Sequence, residues 1–289
     1  DIASEGTLNL DIPPMCDGEA YIKHPAIDTA KECLINFIYF DKKTDKFVAK
    51  EQIVLSRFIK KCSRPEGNNI ICVEENGKLK ISTQAAKIVF DTAKGKLVSY
   101  KVEDKEFLLK NNGSKALAPN IYRAPIDNYM YISNKWKKLG FDDMKSTLVD
   151  FEYEKDGNSI KISTQENMFG AGKLRFTAYI DYTVYCSGEI DVTACLQKHK
   201  AYDIPKFGLD IELPIEFDSV TYYGMGGEES YSDMSEHATM GIYSIKVDEM
   251  YTQYIKPQDN GNRSGVRWAK ITKADGEGFM FAGDAMSFN

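Results

Sequence analysis

The sequence contains no apolar run near the roughly 20 residues that a membrane-spanning helix needs. No basic leader precedes its opening, DIASEGTLNLDIPP, so no membrane partner is expected. Basic charge is in deficit: 37 Lys and Arg against 43 Asp and Glu leave a net charge of −6, with both signs interspersed. A nucleic-acid partner needs a basic face and is not expected either. Histidine is scarce, and His24, His199 and His237 stand far apart. No CxxC joins any two of Cys16, Cys33, Cys62, Cys72, Cys186 and Cys195, and no Cys/His group has zinc-ligand spacing. Metal chemistry and a His-activated nucleophile are therefore disfavoured. The cysteines read as free thiols, with Cys33, Cys186 and Cys195 as small hydrophobes in apolar runs. Free thiols leave the compartment open between cytoplasm and periplasm. The glycine-rich GMGG at 224–227 lacks the Lys-Ser/Thr and the strand–helix setting of a phosphate loop. It reads as a turn with unusual φ.

What the chain does have is period-two alternation. Residues 32–40, 47–56, 78–82, 87–91, 97–102, 148–153, 159–164, 174–186, 189–196, 207–213, 266–271 and 278–282 read as strands rich in β-branched and aromatic side chains. Asn76-Gly77, Asp156-Gly157, Ser187-Gly188 and Asp275-Gly276 supply the positive-φ positions of tight hairpins. The expected fold class is all-β. Helix is confined to SNKWKKL at 133–139, with Ser133 as N-cap and Gly140 as C-cap, and to a single turn at 28–31. Pro, Gly, Asn and charged residues cluster at 60–69 and predict a domain boundary, with residues 1–64 before it and 68–289 after it. About four strands are expected before the boundary, too few for an immunoglobulin-like sandwich, and more than about a dozen after it, enough for a large two-sheet sandwich. Asn112-Gly113-Ser114 matches a glycosylation acceptor formally and reads as a chance match. Both ends read as cut.

Residues 222–268 pack glycines, aromatics, acids, amides and two arginines into what reads as long irregular backbone, and such segments are usually functional. Four motifs here and upstream carry a resemblance: KIVFDTAKGKLVSYKVEDKEFL at 87–108, RAPIDN at 123–128, YYGMGGEESYSD at 222–233 and YTQYIKPQDNGNRSGVRW at 251–268. In this order they resemble the C-terminal region of the glycoside hydrolase family 2 β-galactosidases, where RAPxDND and PYxxPQENGNRxxVRW recur. The chain departs from those patterns at Tyr129, Gly227, Ser230 and Asp259, where the family commonly has Asp, Pro, Asn and Glu.

The resemblance implies a fold: part of an immunoglobulin-like β-sandwich followed by a galactose-mutarotase-like supersandwich. It also implies a role, as the portion of a retaining β-galactosidase that supports the catalytic barrel, the active-site rim and a homo-oligomer. Retaining hydrolysis uses two carboxyl groups about 5–5.5 Å apart. In that family both belong to the barrel, as do the Mg and Na ions, so this chain is expected to be inert alone and to hold no cofactor. Its partners would be the barrel and a β-galactoside. The rim or substrate-binding candidates are Arg123, Asp127, Asn128, Glu229, Tyr231, Tyr251, Asn260, Arg263 and Trp268. Each has a structural alternative. Arg123 and Asp127 read first as an internal pair pinning a loop, with Asn128 satisfying backbone groups. Asn260–Arg263 reads as a turn presenting Arg263 to a fixed acceptor. Tyr222, Tyr223, Tyr251, Tyr254 and Trp268 read as packing before they read as a sugar platform. The adjacent acids Asp142-Asp143 and Glu228-Glu229 read as solvated, because neighbours on a strand face opposite ways. Two other functions stay open: a carbohydrate-binding module, marked by exposed Tyr and Trp in 222–268, and a mutarotase-type epimerase, which needs a His and a Glu at the anomeric centre.

Overall fold

The computed structural model describes residues 2–57, 69–109 and 115–289. Cys62, the acceptor-like triplet at 112–114 and nearly all of the expected boundary at 60–69 lie outside the described residues. The fold is all-β, with antiparallel pairing throughout the described sheets. No described helix is long and apolar enough to cross a membrane.

Before residue 58 two strands form, not about four: β1 (Cys33–Phe40) and β2 (Phe47–Ser56), paired as a hairpin. The preceding residues run without strand pairing, interrupted by Pro13, Pro14 and Pro25, which cannot donate to a ladder. Next come β3 (Ile71–Glu75), β4 (Lys78–Ser82), β5 (Ala86–Asp91), β6 (Lys96–Val102) and β7 (Lys105–Glu106), a meander in sequence order. β8 (Ala116–Asn120) follows. A single 3₁₀ turn, Asp127–Tyr129, then feeds α1 (Met130–Leu139). β9 (Lys145–Asp156), β10 (Ser159–Gly170), β11 (Lys173–Tyr185) and β12 (Ile190–Lys198) make a second meander, and β13 (Gly208–Ile211) returns to pair with β8. β14 (Ser219–Gly226), β15 (Thr239–Lys246), β16 (Arg263–Thr272) and β17 (Gly278–Phe288) form the last sheet in the order β15-β14-β16-β17.

The two meanders face each other across the main core. Leu79, Ile81, Ile88 and Phe90 meet Ile160, Ile162, Ile180, Tyr182 and Val184. The rings of Phe90 and Tyr182 lie edge to face at 5.1 Å. Alternation sends Ile160 and Ile162 inward and Lys161 and Ser163 outward. Burying each such aliphatic or aromatic side chain contributes about 1.5–3 kcal/mol. The last sheet joins this body through Phe279, which packs on Tyr100, Phe107 and Phe217.

α1 closes one end of the sandwich by burying Trp136 beside Phe141, Phe176 and Tyr202, and Trp136 Nε1 donates to the Asp203 carbonyl at 2.8 Å. Ser133 is not its N-cap. The 3₁₀ turn starts the helix earlier, Tyr129 takes the cap position, and the Ser133 hydroxyl donates to the Met130 carbonyl. Gly140 is the C-cap, at φ 75°. A Cβ there would lie 2.2 Å from the Ala171 nitrogen, so the close approach of the β10–β11 turn also requires glycine.

The region expected to be irregular is partly sheet: β14, β15 and the start of β16 occupy it, and the stretches 227–238 and 247–262 between them are loops and turns. Glycine density hid the alternation. Gly224, Gly226 and Gly227 take no positive φ; Gly224–Gly226 is the end of β14 and Gly227 a bend just after it, not a strained turn. Space is the reason for glycine here. A Cβ on Gly226 would meet the Tyr222 hydroxyl at 2.1 Å, and one on Gly224 would meet Val266 at 2.7 Å.

Candidate functional site

Three of the motifs converge. RAPIDN leaves β8 and leads into α1; EESYSD follows β14; the segment before β16 carries PQDNGNR. Together they line a cavity of about 290 Å³ bounded by Ile126, Asp127, Asn128, Tyr231, Asp233, Met234, Tyr254, Gln258 and Asp259. The Asp127 amide donates to Gln258 Oε1 at 3.0 Å, which ties the first loop to the third.

Arg123 does not pair with Asp127. Its Nη1 lies 3.8 Å from Asp259 Oδ2, and its guanidinium sits 5.4 Å from the Tyr129 ring centre and 5.7 Å from that of Tyr231. Asp127 and Asn128 are exposed at the rim instead. Arg123 is thus held by a carboxylate on one side and aromatic faces on the others. The Tyr231 hydroxyl donates to Asp259 at 3.3 Å. Burial, and then the Asp259 charge, push the Tyr231 phenol well above its ordinary range.

Glu229 is not a solvated acid. It is buried, accepts from the Tyr254 hydroxyl and, at 2.7 Å, from the Gly261 amide, while His237 Nε2 donates to its backbone carbonyl at 2.8 Å. Glu228, its neighbour, faces solvent, as do Asp142 and Asp143. Gly261 adopts φ 78°, and the turn it makes aims Arg263 inward. There Arg263 Nε donates to the Tyr222 hydroxyl at 3.0 Å and Nη1 to the Gly261 carbonyl at 3.0 Å. The acceptors of Arg263 therefore belong to this chain. Asn260 lies on the same loop, donating to the Gln258 carbonyl and accepting from the Thr252 amide.

Of the expected site residues, Arg123, Asp127, Asn128, Glu229, Tyr231, Asn260 and Arg263 come together. Tyr251 stands exposed apart from the cavity lining, and Trp268 lies within β16 opposite Tyr223, with Lys270 over its ring. Sequence reasoning missed Asp233, Gln258 and Asp259 as lining residues, although two of them sit inside the PQDNGNR run that flagged their neighbours. In the aromatic set Tyr222 is fully buried, and Tyr223, Tyr254 and Trp268 are half-buried. His199 contacts Thr177 at 2.9 Å, away from these loops. No group of three or more His, Cys, Asp or Glu among the described residues is arranged to hold a metal ion.

The cavity wall offers carboxylates, amides and phenols beside the apolar side chains of Ile126 and Met234. Burial raises the Asp259 carboxyl above its usual 3.8, outweighing Arg123 and Lys206. An acid raised in the folded state binds its proton more tightly there than in the unfolded chain. Asp259 thus adds stability as pH falls through its midpoint. Asp91 has the opposite sign: burial pushes it up, but Lys78 and the Lys94 amide outweigh burial and hold it low, so its contribution is lost on acidification. In a carboxyl-carbon NMR titration Asp259 is expected to show a midpoint above 3.8, moving higher still in Arg123→Met. A midpoint at or below 3.8 would mean that the Arg123 contact, not burial, governs it.

The family model described as "Beta galactosidase small chain" matches residues 82–289. Among curated relatives, the β-galactosidase of Priestia megaterium is 28% identical over 246 residues, covering 82% of this chain and 22% of the relative. That of Lactococcus lactis subsp. lactis is 26% identical over 256 residues, covering 83% and 25%. That of Lactobacillus delbrueckii subsp. bulgaricus is 32% identical over 233 residues, covering 78% and 22%. The chain spans about a quarter of the length of these relatives.

Proposed function

The chain belongs to the β-galactosidase small-chain family, and from that membership we propose that it is the non-catalytic C-terminal part of a β-galactosidase. In the whole enzyme a barrel performs retaining hydrolysis of terminal β-galactosides. This chain braces that barrel, adds loops to the active-site rim and helps to build a homo-oligomer. Any Mg or Na ions of the whole enzyme belong to the barrel. The observation that carries the reading is the convergence of RAPIDN, EESYSD and PQDNGNR on one cavity. Three segments far apart in sequence build that wall, and their hydrogen-bonding groups suit a sugar ring held at its edge. Support also comes from relatives named β-galactosidase that align with most of this chain and extend far beyond it.

The purified chain is expected to leave a chromogenic β-galactoside unhydrolysed. Mixed with the remaining three-quarters of the Priestia megaterium relative, it is expected to restore turnover to that inactive partner. Hydrolysis by the chain alone would overturn the non-catalytic assignment, and failure to restore turnover would overturn the bracing role.

A further inference from the structure

Tyr222 and Tyr223 are neighbours on β14 and therefore face opposite sides of the last sheet. Tyr222 points toward Val266, Ala269 and the Arg263 guanidinium, which in turn holds the Gly261 carbonyl. Tyr223 points toward the N-terminal hairpin. There Glu32, just before β1, is buried to 8% exposure of its side chain. Its carboxylate accepts from Arg267 Nη2 at 3.0 Å, and burial together with the Glu32 charge raises the Tyr223 phenol beside it.

A carboxylate buried at a junction between segments 235 residues apart is satisfied in one docking arrangement only. Sliding the hairpin by one residue would leave both Glu32 and Arg267 desolvated and unpaired, a large penalty. A second anchor acts on the next strand. Gln52 of β2 donates Nε2 to the Met240 carbonyl at 2.9 Å and accepts the Met240 amide on Oε1 at 2.7 Å. Its side-chain amide does for the edge strand β15 what a neighbouring peptide would do.

We propose that Glu32 and Arg267 are positioning residues: they lock hairpin β1–β2 onto the last sheet and, through β14 and β16, hold the hydrogen-bonded Glu229–Gly261–Arg263 cluster that backs the cavity lining. Arg267 lies four residues from Arg263 on β16, and Tyr223 six residues before Glu229. A shift of either strand under the hairpin moves that cluster with it. The importance of the cluster for sugar cleavage rests on the function proposed above. The lock itself is a statement about geometry and is tested without turnover.

The test uses the full chain, its Glu32→Gln and Gln52→Leu variants and the double variant, followed by amide hydrogen exchange. Glu32→Gln is expected to speed exchange at Gly261 about tenfold while Ile162 in the main core stays as protected as before. The Tyr223 phenol, held at about 12 by burial and by Glu32, is expected to titrate lower in an ultraviolet pH titration. The double variant should loosen Gly261 by more than the product of the single effects. Unchanged exchange at Gly261, or equal acceleration at Gly261 and Ile162, would overturn the proposal. Should Glu32→Gln fail to fold, Arg267→Lys keeps the charge but loses the fork, and the same comparison applies. Hydrolysis by the isolated chain would remove the functional reading and leave the exchange result intact.

Discussion

Replacing Lys96 with methionine is expected to remove about 3–5 kcal/mol of stability, seen as a lower midpoint in urea unfolding at constant slope. Glu166 is the reason. It stands on β10 in the inward row that also holds Ile160, Ile162 and Met168, and its residue is 1% exposed. Its Oε1 accepts from Lys96 Nζ at 2.6 Å, while Oε2 has no partner among the described residues. Lys96 comes from the start of β6 on the facing sheet, and its side chain keeps 27% exposure. Without that ammonium the carboxylate would be desolvated and uncompensated, or would have to take up a proton. The pair as a whole adds little, because the cost of desolvating both ions offsets their attraction. Lys96→Met with Glu166→Leu should therefore recover most of the loss. A single variant within about 1 kcal/mol of the parent would show that Glu166 does not depend on Lys96.

Glu229→Ala is expected to be the most damaging change at the cavity, at about 3 kcal/mol, since hydrogen bonds to a charged group contribute about 1.5–3 kcal/mol each and two are lost. The Gly261 amide would stay buried without an acceptor, and Tyr254 would lose its tether. Glu229→Gln preserves shape and one acceptor, so roughly half the loss is expected. Thermal unfolding gives the magnitude, and exchange at the Gly261 amide locates it. In the enzyme reassembled with the relative's remaining part, turnover should fall with the alanine variant more than with the glutamine variant. Equal stability of Glu229→Ala and the parent would show that the loop before β16 is held by something else.

Much of this architecture was readable from local chemistry. A strand places successive side chains on opposite faces, so alternation in 159–164 or 174–186 marks strand and core face at once. Asn76-Gly77 and Asp275-Gly276 meet the steric demand of a tight turn within two residues. Gly140 ends α1 as its position predicts. Where local chemistry misled, long-range packing was the cause. The glycines of β14 looked like turn residues, yet Gly226 exists to admit the Tyr222 hydroxyl and Gly224 to admit Val266. No window of neighbouring residues contains that information. Ser133 carried a capping signal that the preceding 3₁₀ turn overrode.

At the cavity the same division holds. The motifs named the right loops, because Arg123, Glu229, Tyr231 and Arg263 belong to runs whose composition is unusual for sheet. The identity of each partner came only from the fold. Arg123 takes Asp259 over the nearby Asp127, Glu229 is buried where its neighbour Glu228 is wet, and Gln258 reaches the Asp127 amide across 131 residues. Backbone sterics and side-chain period act over a few residues and are written in order along the chain. Ion pairs, burial and close approach depend on how distant strands register against one another, which is settled only when the sheets have packed.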